Sequence, residues 1–252
     1  MKTVFSELAR VNLKSFLNYR NALWVTISTV ALNYGLRFFF LQYYFNYTST
    51  LGGWEPNHIY IVVYLSAVVF LTVNCFDSSI YKFFSLAYKG EVEPYLLKPT
   101  NKVYYVLFGW MKISNLIAAI FVLAYGIRTF PEIQSHIITL LPLMLVGVIS
   151  CLSLIGLMSC LTLFIKRQVP SEYIFYELGR LAFIPISAYP KKLGTALLLI
   201  IPSLFSVVVP VAVAIRGETQ WLTPFMVSSA GLFLLFIFVF KYSLKRFDGM
   251  GG

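Results

Sequence analysis

Acidic residues are scarce in this chain: ten Asp and Glu stand against twenty Lys and Arg in 252 residues, and charged residues make up only 12%. A soluble domain carries about a quarter charged residues, so the composition excludes an ordinary soluble fold. No acid falls at the centre of a long apolar run: Asp77 lies at an edge, and Glu55, Glu132 and Glu218 lie between runs. A carrier driven by protons or sodium holds carboxylates in mid-membrane, which argues against that class. There is no G-x-x-x-x-G-K-[ST] segment to cradle ATP phosphates, no H-E-x-x-H and no G-x-S-x-G elbow. His58 and His136 are the only histidines and match no metal-ligand spacing. Cys75, Cys151 and Cys160 fall in or beside apolar runs, where they read as small buried residues rather than a disulfide framework.

What is present is apolar surface. Hydrophobic residues reach 59% and the mean hydropathy is +0.78. Six stretches, about 22–47, 57–76, 103–127, 137–165, 192–215 and 222–243, approach or exceed the ~20 residues a membrane-spanning helix needs. They are continuous rather than alternating, which excludes a β-barrel. The expected fold is an all-α membrane protein with six transmembrane helices, forming one domain over 1–252.

The basic residues fix an orientation. Lys2, Arg10, Lys14 and Arg20 precede the first run; Lys82, Lys89, Lys98 and Lys102 lie between the second and third; Lys166, Arg167, Arg180, Lys191 and Lys192 lie between the fourth and fifth; Lys241, Lys245 and Arg246 close the chain. The alternate segments hold only Arg128 and Arg216. Cytoplasmic loops retain Lys and Arg, so both termini are expected in the cytoplasm. The net charge of +10 is on this reading a topological signal, and no nucleic acid is expected as a partner.

Residues 3–18 read as an amphipathic interfacial helix, with Phe5, Leu8, Ala9, Leu13 and Phe16 on one face and Glu7, Arg10, Lys14 and Asn18 on the other. Tyr19 and Arg20 then turn the chain into the first span, whose far end carries an aromatic belt. In 77–102, Asp77-Ser78-Ser79 resembles a helix N-terminus and Gly90 a helix stop. Residues 171–190 read as a short amphipathic cytoplasmic helix, because a span there would leave Lys191 and Lys192 outside. Pro202 and Pro210 mark a kink or break in the fifth span. Ser150, Ser153, Gly156 and Cys160 form a row of small residues on the fourth, suited to close helix approach.

Few ionisable residues enter the spans. Arg37, with Asn33 one turn earlier, either meets an anionic substrate group or a partner subunit, or snorkels to the outer interface. Lys112 lies near the inner boundary, where snorkelling accounts for it.

The segment Gly90-Glu91-Val92-Glu93-Pro94-Tyr95-Leu96-Leu97-Lys98-Pro99-Thr100-Asn101, the helix ending in Tyr19-Arg20, and the pairs Tyr189-Pro190, Ile201-Pro202 and Val209-Pro210 resemble the membrane subunits of ABC-2-type ABC transporters, in particular a subfamily of permeases of about 260 residues. The resemblance implies a multi-pass permease of the bacterial cytoplasmic (inner) membrane without catalytic activity of its own. It implies export of amphipathic cargo (lipid, peptide or glycolipid). ATP and Mg would act in partner subunits, with no cofactor in this chain. The expected partners are cytosolic ABC ATPase subunits, a second copy or sister permease, and membrane lipids. It places ATPase coupling on the interfacial helix and the 77–102 loop: Arg10, Tyr19, Arg20, Lys82, Glu91, Glu93, Pro94, Lys98 and Pro99. The residues alone also allow a loop simply held on lipid. Asn33 and Arg37 are the candidates for the substrate path. The rival readings are an ATP-independent channel or lipid-scrambling protein, and a membrane-anchored assembly factor.

Overall fold

Prolines and capping groups set the helix boundaries. In a computed structural model, which describes residues 2–18, 21–97, 101–165, 167–179 and 181–245, the α-helices are α1 Lys2–Asn18, α2 Asn21–Phe45, α3 Pro56–Tyr88, α4 Glu93–Leu96, α5 Lys102–Phe108, α6 Ile113–Thr129, α7 Pro131–Ile165, α8 Ser171–Gly179, α9 Lys191–Ile200, α10 Val208–Ala214 and α11 Leu222–Lys245. Pro56 and Pro131 occupy first positions, where the missing N–H costs nothing. Asn101 caps α5 by accepting the Val103 N–H at 3.1 Å. Pro202 keeps Ile201 out of helical geometry (φ −131, ψ 68) and ends α9. Among the described residues there is no named strand, only an isolated bridge between Leu51 and Trp54.

α3 is the central pillar. It packs against α2, α5, α6, α7, α8 and α10, and its apolar side chains are buried along most of its length. α7 and α11 form the other main contact, with the Phe236 ring seated over Gly156 in the small-residue row of α7. α2 is peripheral: Leu41 is its one buried residue among those described. All three cysteines are buried and free.

Among the described residues four helices, including α2, α3 and α7, are long and apolar enough to cross a membrane; the fourth runs Thr219–Lys245. A fifth is counted if α5 and α6, bent by 63° at their junction, act as one span. The expected fifth span, 192–215, is not one helix. α9, a 3-10 turn at Pro202–Phe205 and α10 replace it. This hairpin reaches halfway along α7, with Ser203 O 3.8 Å from Cys151 Sγ, then returns so that Arg216 Nη1 donates to Gly53 O at 3.4 Å.

The 171–190 segment also departs from expectation. It climbs the length of α3. Gln168 Nε2 donates to Tyr81 Oη at 2.5 Å, Asn74 Nδ2 to Tyr176 Oη at 3.0 Å, and Ser187 Oγ to Gly52 O at 2.5 Å. Phe175 meets Phe70 on the way, with centroids 5.5 Å apart. From Tyr81 to Pro56 α3 alone rises about 38 Å. Lys191 and Lys192 therefore lie at the same end of the bundle as the 51–54 turn. Charge bias pointed the other way because Pro185, Pro190 and the acids Glu172 and Glu177 disguise a traversing segment that is only partly helical.

Asp77-Ser78-Ser79 does not begin a helix. α3 runs through it unbroken, with Asp77 and Ser79 buried. The packed face of α1 is rotated as well: Asn12 is buried and Leu8 and Phe16 half-buried, while Leu13 is 48% exposed. Asn12 turns inward because its Nδ2 donates to Phe108 O at 3.0 Å, at the open end of α5.

Candidate coupling surface and cargo path

One end of the bundle gathers α1, the tail of α3, α4 and α5. At 33 residues α3 is about 50 Å long, against a ~30 Å hydrocarbon core, so its C-terminal turns extend beyond any bilayer that covers its start. Gly90 (φ +76) ends it: the Glu91 N–H reaches Leu86 O at 2.8 Å and the Gly90 N–H reaches Ala87 O at 3.1 Å. That left-handed residue would strain any side chain. The reversal buries Val92 and leaves Glu91, Glu93 and Pro94 exposed at α4. Tyr95 anchors α4 to the α5–α6 junction through edge contacts with Trp110 (5.1 Å) and Tyr105 (6.1 Å).

α3 holds that junction. Ser79 Oγ donates to Tyr105 O at 3.2 Å and accepts the Trp110 N–H at 3.1 Å. Ser78 Oγ donates to Trp110 O at 2.9 Å, and the Lys112 N–H to Cys75 O at 3.0 Å. The bend exposes backbone groups that two helices would otherwise satisfy internally, and α3 supplies their partners. Lys112 and Glu172 are the charged neighbours of buried Asp77.

Nearer the opposite end, α2, the 51–54 turn, α3 and residues 183–184 line a half-open cavity of about 440 Å³. Its walls are Phe40, Leu41, Tyr44, Leu51, Val63, Phe183 and Ile184, with Arg37 as the one charged residue. The guanidinium sits over the Tyr34 ring, 5.0 Å from its centroid, and Nη1 is buried with no hydrogen-bond partner among the described residues. At that same end Arg216 stacks on Trp54 at 4.7 Å and pairs with Glu218 at 2.7 Å.

A helical bundle with a long central helix and a bent helix pair fits a transport subunit. A family model described as ABC-2 family transporter protein matches residues 31–251. The chain belongs to the ABC-2 transporter family. No curated protein and no solved structure matches it. Membership makes it a multi-pass membrane permease, the transmembrane subunit of an ABC transporter. The match begins inside α2, so α1 stands outside it.

In this ABC-2 permease the proposed coupling residues Arg10, Lys82, Glu91, Glu93 and Pro94 are all exposed. Tyr19, Arg20, Lys98 and Pro99 lie outside the described residues. The two path candidates separate: Asn33 is exposed, whereas Arg37 is half-buried and lines the cavity. Phe183 and Ile184 were missed as cavity residues because their stretch was read as cytoplasmic. The signal for them was the apolar run between Arg180 and Pro190. Ser78 and Ser79 resemble cap residues in sequence; the place of Ser79 on the buried face of α3, with Ile80 and Phe83, was the available clue.

Proposed function

We propose that this permease is the membrane half of an ATP-driven exporter of amphipathic cargo, working with separate cytosolic ABC ATPase subunits and a second permease copy or a sister permease. The observation that carries the reading is the projecting end of α3 with α4: Lys82, Glu91, Glu93 and Pro94 stand exposed on a rigid helical extension at the end where α1 packs. An extension anchored to the α5–α6 junction transmits a push from a docked ATPase directly to the bent span. α1, with Arg10, widens the same docking surface. In this reading ATP and Mg belong to the ATPase alone. The end bearing α1 and the last turns of α11 faces the cytoplasm of a bacterial inner membrane. The chain then crosses six times, with 168–190 as the fifth crossing, and α9–α10 re-enters from the outer side.

The test is co-purification of the tagged permease with a Walker-motif ATPase encoded beside it, followed by cargo-stimulated ATP hydrolysis in liposomes. A stable complex with stimulated hydrolysis supports the reading. Lipid scrambling by the permease alone, without nucleotide and without an ATPase partner, would replace it with the ATP-independent alternative.

A further inference from the structure

We infer that the cavity behind Arg37 binds an amphiphile with an anionic head and an apolar tail, and that such molecules are the permease's cargo class; the second clause rests on the export reading above. A guanidinium does not lose its proton at any physiological pH. Its Nη1 is buried without an acceptor among the described residues, whose cavity-lining members include no carboxylate. Tyr34 offers a ring face, which stabilises the cation but accepts none of its in-plane N–H groups. Charge in an apolar setting is costly until it is paired. The missing partner is therefore an anion.

The rest of the enclosure defines what the anion carries. Beyond Arg37 the lining offers one hydrogen-bonding side chain, the Tyr44 hydroxyl; Phe40, Leu41, Leu51, Val63, Phe183 and Ile184 offer none, so a sugar or peptide backbone placed there would lose most of its solvation without return. An alkyl chain loses nothing and gains burial. At about 440 Å³ the cavity falls within the ~300–1,000 Å³ range of small-molecule sites. A carboxylate or a phosphate head satisfies the guanidinium equally well, because both accept a paired set of N–H donors.

The test uses the full-length permease in nanodiscs of neutral phosphatidylcholine, with three probes: decyl phosphate, 1-decanol and inorganic phosphate. The wild type is expected to bind decyl phosphate about tenfold or more tightly than decanol, the gain of a charge-assisted pair. Inorganic phosphate at the same concentration is expected not to displace it. Arg37→Gln is expected to bind both amphiphiles alike, and Ile184→Trp, which fills the cavity, to bind neither, with unchanged helicity in both variants. Equal binding of the two amphiphiles by wild type, a preference surviving in Arg37→Gln, full competition by inorganic phosphate, or undiminished binding by Ile184→Trp would each overturn the site. None of these measurements involves the ATPase, so they stand or fall apart from the export reading. In the assembled complex, decyl phosphate is expected to stimulate ATP hydrolysis in wild type and not in Arg37→Gln. Binding without stimulation would make the occupant a resident lipid and overturn its assignment as cargo.

Discussion

Ser79 Oγ accepts the Trp110 N–H at 3.1 Å, so a buried hydroxyl on the central helix α3 holds the break between α5 and α6. The same oxygen donates to Tyr105 O at 3.2 Å. Ser79→Ala removes both bonds at a position with no exposure and leaves the Trp110 N–H without a partner, while Tyr105 O keeps the Gly109 N–H at 3.0 Å. Buried groups left unsatisfied cost about 1–3 kcal/mol each before relaxation. The expected outcome is a clear fall in the thermal midpoint of the purified permease, larger than that from Ser78→Ala, which removes the 2.9 Å bond to Trp110 O from a half-buried site. Equal midpoints for the two variants would show that Ser79 does not hold the junction.

The hydrogen bond from Ser187 to Gly52 fixes which end of the bundle Lys191 occupies. Lys191→Cys is therefore expected to react with a membrane-impermeant maleimide from the same side as Glu55→Cys, and Lys82→Cys from the other side. Labelling of Lys191→Cys and Lys82→Cys from a common side would overturn the climb of 168–190 along α3. On the proposed orientation two lysines outside do not defeat the orienting bias, because the opposite end retains Arg10 on α1, Lys82 and Lys89 toward the end of α3, and Lys241 and Lys245 in the last turns of α11.

Much of this architecture was legible in the sequence, and its failures share a cause. Apolar runs marked α2, α3, α7 and α11 because each is a single helix long enough for hydropathy to dominate. Gly90 marked the end of α3 because a left-handed residue has few other uses there. The failures sit where the backbone is interrupted. The 192–215 run is apolar throughout because a hairpin buried in the bundle needs the same composition as a span. Direction of travel leaves no mark on hydropathy; only contacts such as Arg216 to Gly53 reveal it. Asp77 and the two serines after it carry a cap-like local pattern, and tertiary partners on α5 and α6 override it. In the candidate site, Arg37 was visible as an isolated charge in an apolar run. The cavity beside it was not, since Phe183 and Ile184 lie far along the chain.

The acids at α4 are exposed, so reversing them tests coupling without threatening the fold. Glu91→Lys with Glu93→Lys is expected to leave membrane insertion and thermal stability nearly unchanged, since surface substitutions stay within about 0.5 kcal/mol. Cargo-stimulated hydrolysis in the assembled complex is expected to collapse. Normal stimulation in that double variant would remove α4 from the coupling surface.

Arg216 ties together three pieces of the end opposite α4. It pairs with Glu218, donates to Gly53 O and stacks on Trp54, while Trp221 Nε1 donates to the second Glu218 oxygen at 3.2 Å. The ion pair by itself contributes little, because both side chains are nearly a quarter exposed and solvent screens them. The stacking and the backbone bond hold the α2–α3 turn against the start of α11. Arg216→Lys keeps the charge but not the planar contact with Trp54 or the forked donors. Arg216→Lys is therefore expected to lose most of what Arg216→Ala loses, about 1–2 kcal/mol from the stacked cation and the charged hydrogen bond together. Glu218→Gln keeps one acceptor oxygen for Arg216 but sets an NH2 donor against the Trp221 N–H; because it leaves the Trp54 stack and the Gly53 bond in place, it is expected to lose less than Arg216→Ala. Thermal melts of the three variants at low and high salt separate the contributions. Should charge dominate, Arg216→Lys would match the wild type at low salt and the wild type would weaken as salt rises. If the stacked contact dominates, the ranking holds at both ionic strengths.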